Sequence, residues 1–302
     1  MMDTTTLNKL RFATPIVAAC MAVTTLLTCV IITKVKHVYV SGLSWPFFSD
    51  MGRDPPAYYV FCVGLTLEAI LLSMTWVFNY QYQSSALRRA AHSATPPPAK
   101  WLKLARFCCF AGTISTPGLP LLAIFDTSTY TAFHQYAAYW FFAWEVLAMC
   151  TNTHLSKKLL WLALQTKTTA ETSYVDMETE NKSAAADISS TVKKRARTLR
   201  VQRVFTVLFF LAFTVYIPLG IIFPGYSPRL TIQECLDRNL GEHYCTHTMR
   251  MNETETKLFN SESNFLRAQS RALGQLGCVL TLMGYSISFL WHQYEDDTTS
   301  GV

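Results

Sequence analysis

Six runs of apolar residues dominate this sequence: Pro15–Ile32, Tyr58–Phe78, Phe107–Phe125, Tyr136–Cys150, Val204–Phe223 and Leu273–Trp291. Each is near the roughly 20 residues that a helix needs to cross the hydrocarbon of a bilayer. The chain is therefore read as all-α: a polytopic membrane protein of six transmembrane helices in a bundle over residues 15–291. Lys9 and Arg11 precede the first run as they would in a signal peptide. No small-residue cleavage site follows and five more runs do, so the first run is a retained span. Of 302 residues, 50% are hydrophobic and 15% charged, against about 25% charged in soluble domains. That balance excludes a disordered chain, a collagen-like fibre and a disulfide-dense secreted domain. The net charge of +6 flanks the apolar runs, which points to a membrane surface and not to nucleic acid.

Six spans put both termini on one side. Of 26 Lys and Arg, 17 fall in residues 1–14, 79–106 and 151–203, which share the side of the termini; nine fall in 33–57 and 224–272. By the positive-inside rule the first set, with the tail 292–302, is cytosolic. Two further features agree on the outside of loop 224–272. Asn252-Glu253-Thr254 is a glycosylation sequon, and Cys235 and Cys245 suit a disulfide in an oxidising lumen. On the cytosolic side Pro96-Pro97-Pro98 suggests an extended connector. The segment 166–203 is polar and then basic, and up to Thr191 it has the low hydrophobicity of a disordered loop.

Three spans carry stripes of small or polar residues at steps of three and four. They run through Gly64, Glu68, Thr75 and Asn79; through His134, Ala138, Glu145, Ala148 and Asn152; and through Gly274, Gly277, Thr281, Gly284 and Ser288. Small residues let backbones approach in lipid, and polar ones need partners there. Pro117, Pro120 and Pro218 predict kinks in the third and fifth spans. Glu68 and Glu145 both lie about 16 Å below the outer boundary, from the rise of a helix. Buried acids that hydrogen-bond within the bundle account for them; a proton or ion path is the alternative.

Outside the bundle three groups carry chemistry. Asp50, Asp126 and His134 all fall near the outer boundary, where they would cap turns, bind a metal, or do acid–base work on a lipid headgroup. Capping is the simpler reading, and nothing in the sequence calls for a cofactor or a metal ion. On the cytosolic side Lys193, Lys194, Arg195, Arg197, Arg200 and Arg203 fall within eleven positions at the membrane. Such a cluster suits anionic inner-leaflet headgroups, phosphoinositides included, at about 1 kcal/mol per basic residue. Tyr174-Val175-Asp176-Met177 has the shape of a sorting signal, and Ser300-Gly301-Val302 that of a ligand for a PDZ protein.

The outer motifs carry a resemblance. Trp45-Pro46-Phe47-Phe48-Ser49-Asp50-Met51-Gly52, followed by Pro55-Pro56 before the second span, is similar to the damage-regulated autophagy modulator family. So is Phe125-Asp126-Thr127 with His134, joining spans three and four. That six-span family includes the yeast suppressor-of-four-kinase protein, the transmembrane-150 group and GPI-anchor lipid-remodelling proteins. Arg271-Ala272-Leu273-Gly274-Gln275 stands where the family opens its last span on a Glu-Trp pair. The resemblance implies a multi-pass protein of the plasma membrane or of endomembranes (Golgi, endosome or lysosome) that affects lipid composition or lipid-kinase assemblies. Three expectations follow. The first is a non-enzymatic regulator of lipid organisation or of a lipid-kinase complex, with links to autophagy or trafficking, acting through 193–203. The second is an enzyme of lipid remodelling, or its partner, working at the outer-face acids and His134. The third is a conductor resting on Glu68 and Glu145.

Overall fold

In the computed structural model, described here over residues 4–92, 99–173, 181–218 and 228–292, long helices make up almost the whole membrane part. Helix α1 (Thr4–Val35) is followed by a single turn, α2 (Phe48–Met51), and by α3 (Ala57–His92). The third span is split into α4 (Ala99–Ser115) and α5 (Gly118–Ile124). The break falls at Thr116-Pro117, where proline cannot donate to the helical ladder and the residue before it avoids the α region. Then come α6 (Thr131–Ser173) and α7 (Asn181–Tyr216), the latter stopping just ahead of Pro218. The outer segment holds β1 (Arg229–Thr231), α8 (Ile232–Asp237) and β2 (Glu255–Phe259), and α9 (Phe265–Ser286) closes the bundle.

Among the described residues five stretches, Thr6–Val35, Ala57–Arg89, Ala99–Ile124, Ile188–Tyr216 and Glu262–Trp291, are long and apolar enough to cross a membrane. The remaining apolar run, Tyr136–Cys150, occupies the first half of α6. Glu145 lies within it and His134 and Asn152 flank it, which dilutes the apolar character of this half without exposing it: all three are buried.

The small-residue stripes are contact lines. A Cβ on Gly64 would lie 2.2 Å from Thr25 of α1, one on Gly112 would lie 2.3 Å from the Trp76 ring, and one on Gly284 would lie 2.1 Å from Phe205 of α7. The glycines therefore set how closely α1, α3, α4, α7 and α9 approach.

The cytosolic segment departs from its expected form. It is helical up to Ser173 and again from Asn181, so the basic residues 193–203 lie on α7. Ala184-Ala185-Ala186 and the run of Lys and Arg are good helix formers. Low hydrophobicity reports that a segment lacks a core of its own, not that it lacks a helix continuing from a span. Thr153 and Thr206 share a hydrogen bond at 3.0 Å, and Arg195 donates to the Leu159 carbonyl at 3.0 Å, fastening α7 to α6. The motifs at 174–177 and 300–302, and Pro96-Pro97-Pro98, lie outside the described residues.

The outer segment is a small unit of its own. β1 and β2 pair antiparallel, with Arg229 opposite Phe259 and Thr231 opposite Glu255. Thr231 and Glu234 form a capping box on α8. Cys235 and Cys245 are joined, and with Leu230, Met249 and Leu258 they form a separate apolar cluster. Hydrogen bonds tie this unit to the first outer loop. Ser261 N donates to Ser41 O at 3.0 Å, and Tyr244 Oη donates to Asp54 at 2.9 Å beside the Arg53–Asp54 ion pair.

Candidate functional site

An outer-face cavity of about 160 Å³ lies where α2, the α5–α6 turn, α6, α9 and the outer unit meet. The local sequence builds it from several directions. Pro46 and Phe47 end an irregular loop and start α2, whose single turn turns Ser49 and Asp50 inward. Asp50 accepts hydrogen bonds from Ser41 Oγ at 3.2 Å and Thr127 Oγ1 at 3.4 Å. Burial pushes the Asp50 carboxyl above its usual range, and the neighbouring Arg53, Ser41, His134 and Thr127 only partly oppose it.

His134 enters the same cavity from the first turn of α6. Its Nδ1 is 2.9 Å from the Phe125 carbonyl oxygen. A carbonyl only accepts, so Nδ1 carries the hydrogen and the neutral ring keeps its lone pair on Nε2. Arg271 comes from the start of α9, donating to Tyr216 O and Tyr139 Oη, each at 3.2 Å, with its guanidinium 5.9 Å from the Phe47 ring. Phe259 and Ser261 of the outer unit complete the lining. One carboxyl, one imidazole and one guanidinium thus face a single polar space.

Asp126 does different work. It accepts from the backbone N–H of Ser128 and of Thr129, each at 2.8 Å, and from the Ser128 hydroxyl, closing the turn before α6. Burial alone would raise its pKa; the hydrogen bonds from Ser128 and Thr129 outweigh that and hold it below the usual carboxylate range. It is absent from the cavity lining, so of the three outer-face candidates the structure brings together Asp50 and His134 and leaves Asp126 as a turn cap. Among the described residues no three His, Cys, Asp or Glu side chains gather as metal ligands would.

The intramembrane acids sit deeper. Glu145 accepts from Ser115 Oγ at 2.5 Å and Trp76 Nε1 at 3.2 Å, and its Oε2 has no partner among the described residues. Glu68 lines a second, largely apolar cavity, its Oε2 likewise without a partner among the described residues. Farther in, Asn152 accepts from Asn79 at 2.9 Å and from Gln83, and it donates to Tyr285 Oη at 2.6 Å. On the cytosolic side Lys193, Lys194, Arg197, Arg200 and Arg203 are exposed, while Arg195 turns inward to Leu159. Asn252 is exposed, its side-chain oxygen accepting from the N–H groups of Thr254 and Glu255.

Sequence reasoning missed Arg271 and Gln275 as site residues. Gln275 accepts from Phe48 N at 3.0 Å and donates to Tyr216 Oη at 3.4 Å. The available signal was a cation and an amide one helical turn apart on the opening turns of an apolar span, where neither is needed for insertion.

Fold and site together define a polytopic α-helical membrane protein with a polar cavity at one membrane face. Residues 11–292 match the family model described as Frag1/DRAM/Sfk1/Cwh43P N-terminal domain, and the chain belongs to that family. No curated protein and no solved structure matches it.

Proposed function

We propose that this protein is a membrane regulator of lipid organisation that works by holding the phosphate-bearing headgroup of a membrane lipid in the outer-face cavity. The observation that carries this reading is the convergence of Arg271, His134 and Asp50 on one polar space at the bundle end. Arg is suited to phosphate because its planar fork donates two parallel hydrogen bonds. Arg271 is held in place by two tyrosines, so little side-chain entropy is lost when a ligand arrives. The family resemblance implies that the protein does so in the plasma membrane or an endomembrane.

The test is retention of phospholipid by purified full-length protein, read by native mass spectrometry, together with complementation of a deletion. Arg271→Gln is expected to lose bound phospholipid and fail to complement at normal expression. Unchanged retention with full complementation overturns the reading. A second reading, a lipid-remodelling enzyme, draws on the same cavity: the Nδ1 contact of His134 leaves Nε2 as the proton-accepting atom, beside a carboxyl. It expects His134→Gln to keep the lipid bound but unaltered. The roles in a lipid-kinase complex, autophagy or GPI-anchor remodelling that the family resemblance implies would use the lipid so held.

A further inference from the structure

Below the polar cavity lies a second one of about 80 Å³, lined by Leu26, Phe61, Leu65, Leu119, Val279 and Leu282 among others. Gln275 lines both. Its amide accepts from Phe48 N and donates to Tyr216 Oη, which holds it between the two spaces. Chain order gives the direction. Along α9, Arg271 serves the upper cavity and Leu282 the lower, eleven residues or about 16 Å apart at the helical rise. Along α6, His134 and Tyr139 line the upper space while Phe141 and Phe142 line the lower. Polar space thus stands over space that is apolar but for Glu68, Gln275 and Ser286, with the polar part at the membrane face.

The upper cavity also discriminates among headgroups. Arg271 offers a cation for a phosphate, and Asp50 offers a carboxyl for a second, positive group. The side chains immediately around Asp50 are hydroxyls: Ser41 and Thr127 bond to it, and Ser49 lines the same wall. A primary ammonium donates three hydrogen bonds and is satisfied by a carboxylate flanked by hydroxyl oxygens. A quaternary ammonium donates none and is recognised by open aromatic faces. Among the cavity's rings, Phe47 already lies near Arg271. Taking the outer cavity as a headgroup site, we infer that its ligand is a zwitterionic phospholipid with a primary-amine headgroup, one hydrocarbon chain of which passes Gln275 into the apolar cavity. An ammonium beside Asp50 also offsets the burial that disfavours the ionised carboxyl there.

The experiment uses full-length protein in detergent, offered dioleoyl phosphatidylethanolamine, phosphatidylcholine or phosphatidylglycerol, with lipid retention read by native mass spectrometry. Binding of water-soluble glycerophosphoethanolamine is read by saturation-transfer NMR. Wild type is expected to retain the ethanolamine lipid over the choline lipid by about tenfold, and Asp50→Asn to erase that preference while still retaining phosphatidylglycerol. Ala19→Phe and Ala22→Phe each fill the lower cavity from α1. They are expected to lower retention of the ethanolamine lipid at least about tenfold, the effect of leaving two methylene groups unburied, while still binding glycerophosphoethanolamine. Equal retention of choline and ethanolamine lipids by wild type, or wild-type retention by both filled variants, overturns this inference and leaves the headgroup site standing. If Arg271→Gln also retains lipid like wild type, the headgroup site itself falls.

Discussion

Replacing Glu145 separates a packing role from a conducting one, because the structure supplies the donors that its loss would strand. Glu145 is fully buried and accepts from Trp76 Nε1 and Ser115 Oγ. In Glu145→Gln the carbonyl oxygen still accepts both, and the new amide takes the place of Oε2, which has no partner among the described residues. One unsatisfied polar group replaces another there, so the expected change is smaller than the loss in Glu145→Leu. In Glu145→Leu both donors lose their acceptor. Ser115 Oγ retains the Gly112 carbonyl at 2.7 Å, so little is lost there. The Trp76 indole N–H, on a side chain 1% exposed, has nowhere to turn, and an orphaned buried donor costs about 1–3 kcal/mol. Thermal unfolding of detergent-purified protein should therefore rank wild type and Glu145→Gln together and Glu145→Leu below them. Cell complementation should follow the same order. A Glu145→Gln protein that is as stable and abundant as wild type but fails to complement would refute the packing argument and favour a proton or ion path through Glu68 and Glu145.

Asn252 should carry glycan and Asn181 should not, read as a single mobility shift on glycosidase treatment that Asn252→Gln abolishes; glycan at Asn181 would invert the assigned sidedness. Opening the Cys235–Cys245 link, which closes a ten-residue separation, should destabilise the outer unit by about 3 kcal/mol on the chain-entropy account, read as increased proteolysis of residues 228–260 in Cys235→Ser/Cys245→Ser. Replacing Lys193, Lys194, Arg197 and Arg200 by Gln should weaken binding to phosphoinositide-containing liposomes by up to about 4 kcal/mol before screening, with insertion intact; unchanged binding would remove the cytosolic cluster as a lipid contact. Arg195 is left in place there because it holds α7 to α6. For Asp50 the folded pKa lies above its unfolded value, so its contribution to stability is fully present below the unfolded pKa and is lost as pH rises through the folded one. The thermal stability of lipid-free wild type should accordingly fall with rising pH relative to Asp50→Asn, and parallel curves would show that Asp50 is not the group responsible.

The spans were legible because bilayer thickness imposes a length and a polarity on each helix independently of the others. Pro117 was legible too, since a missing N–H acts locally and splits α4 from α5 whatever surrounds it. The cytosolic ends of α6 and α7 were misread, as composition measures whether a segment can build its own core, while these segments extend helices already nucleated in the membrane and brace each other through Thr153, Thr206 and Arg195. The site was half legible. Asp50 and His134 stand out as chemistry-bearing residues in short motifs, but they are 84 positions apart in sequence, and only the folded chain shows that they line one cavity while Asp126 faces its own turn. Arg271 was noticed for departing from the family's opening of the last span, yet nothing local says which helix it faces.

That departure bears on how the site works. A Glu at the start of the last span would add a second carboxyl to the end of the bundle that already holds Asp50; here the opening turns of α9 carry Arg271 instead, and the cavity has one group of each sign. Its roof comes from the outer unit, through Phe259 and Ser261, and that unit is pinned by Ser261 to Ser41, the same residue whose hydroxyl bonds Asp50. Roof and carboxyl are therefore linked through one residue of the first outer loop. The disulfide ties the unit internally, and the Arg53–Asp54–Tyr244 cluster ties it again to the first outer loop.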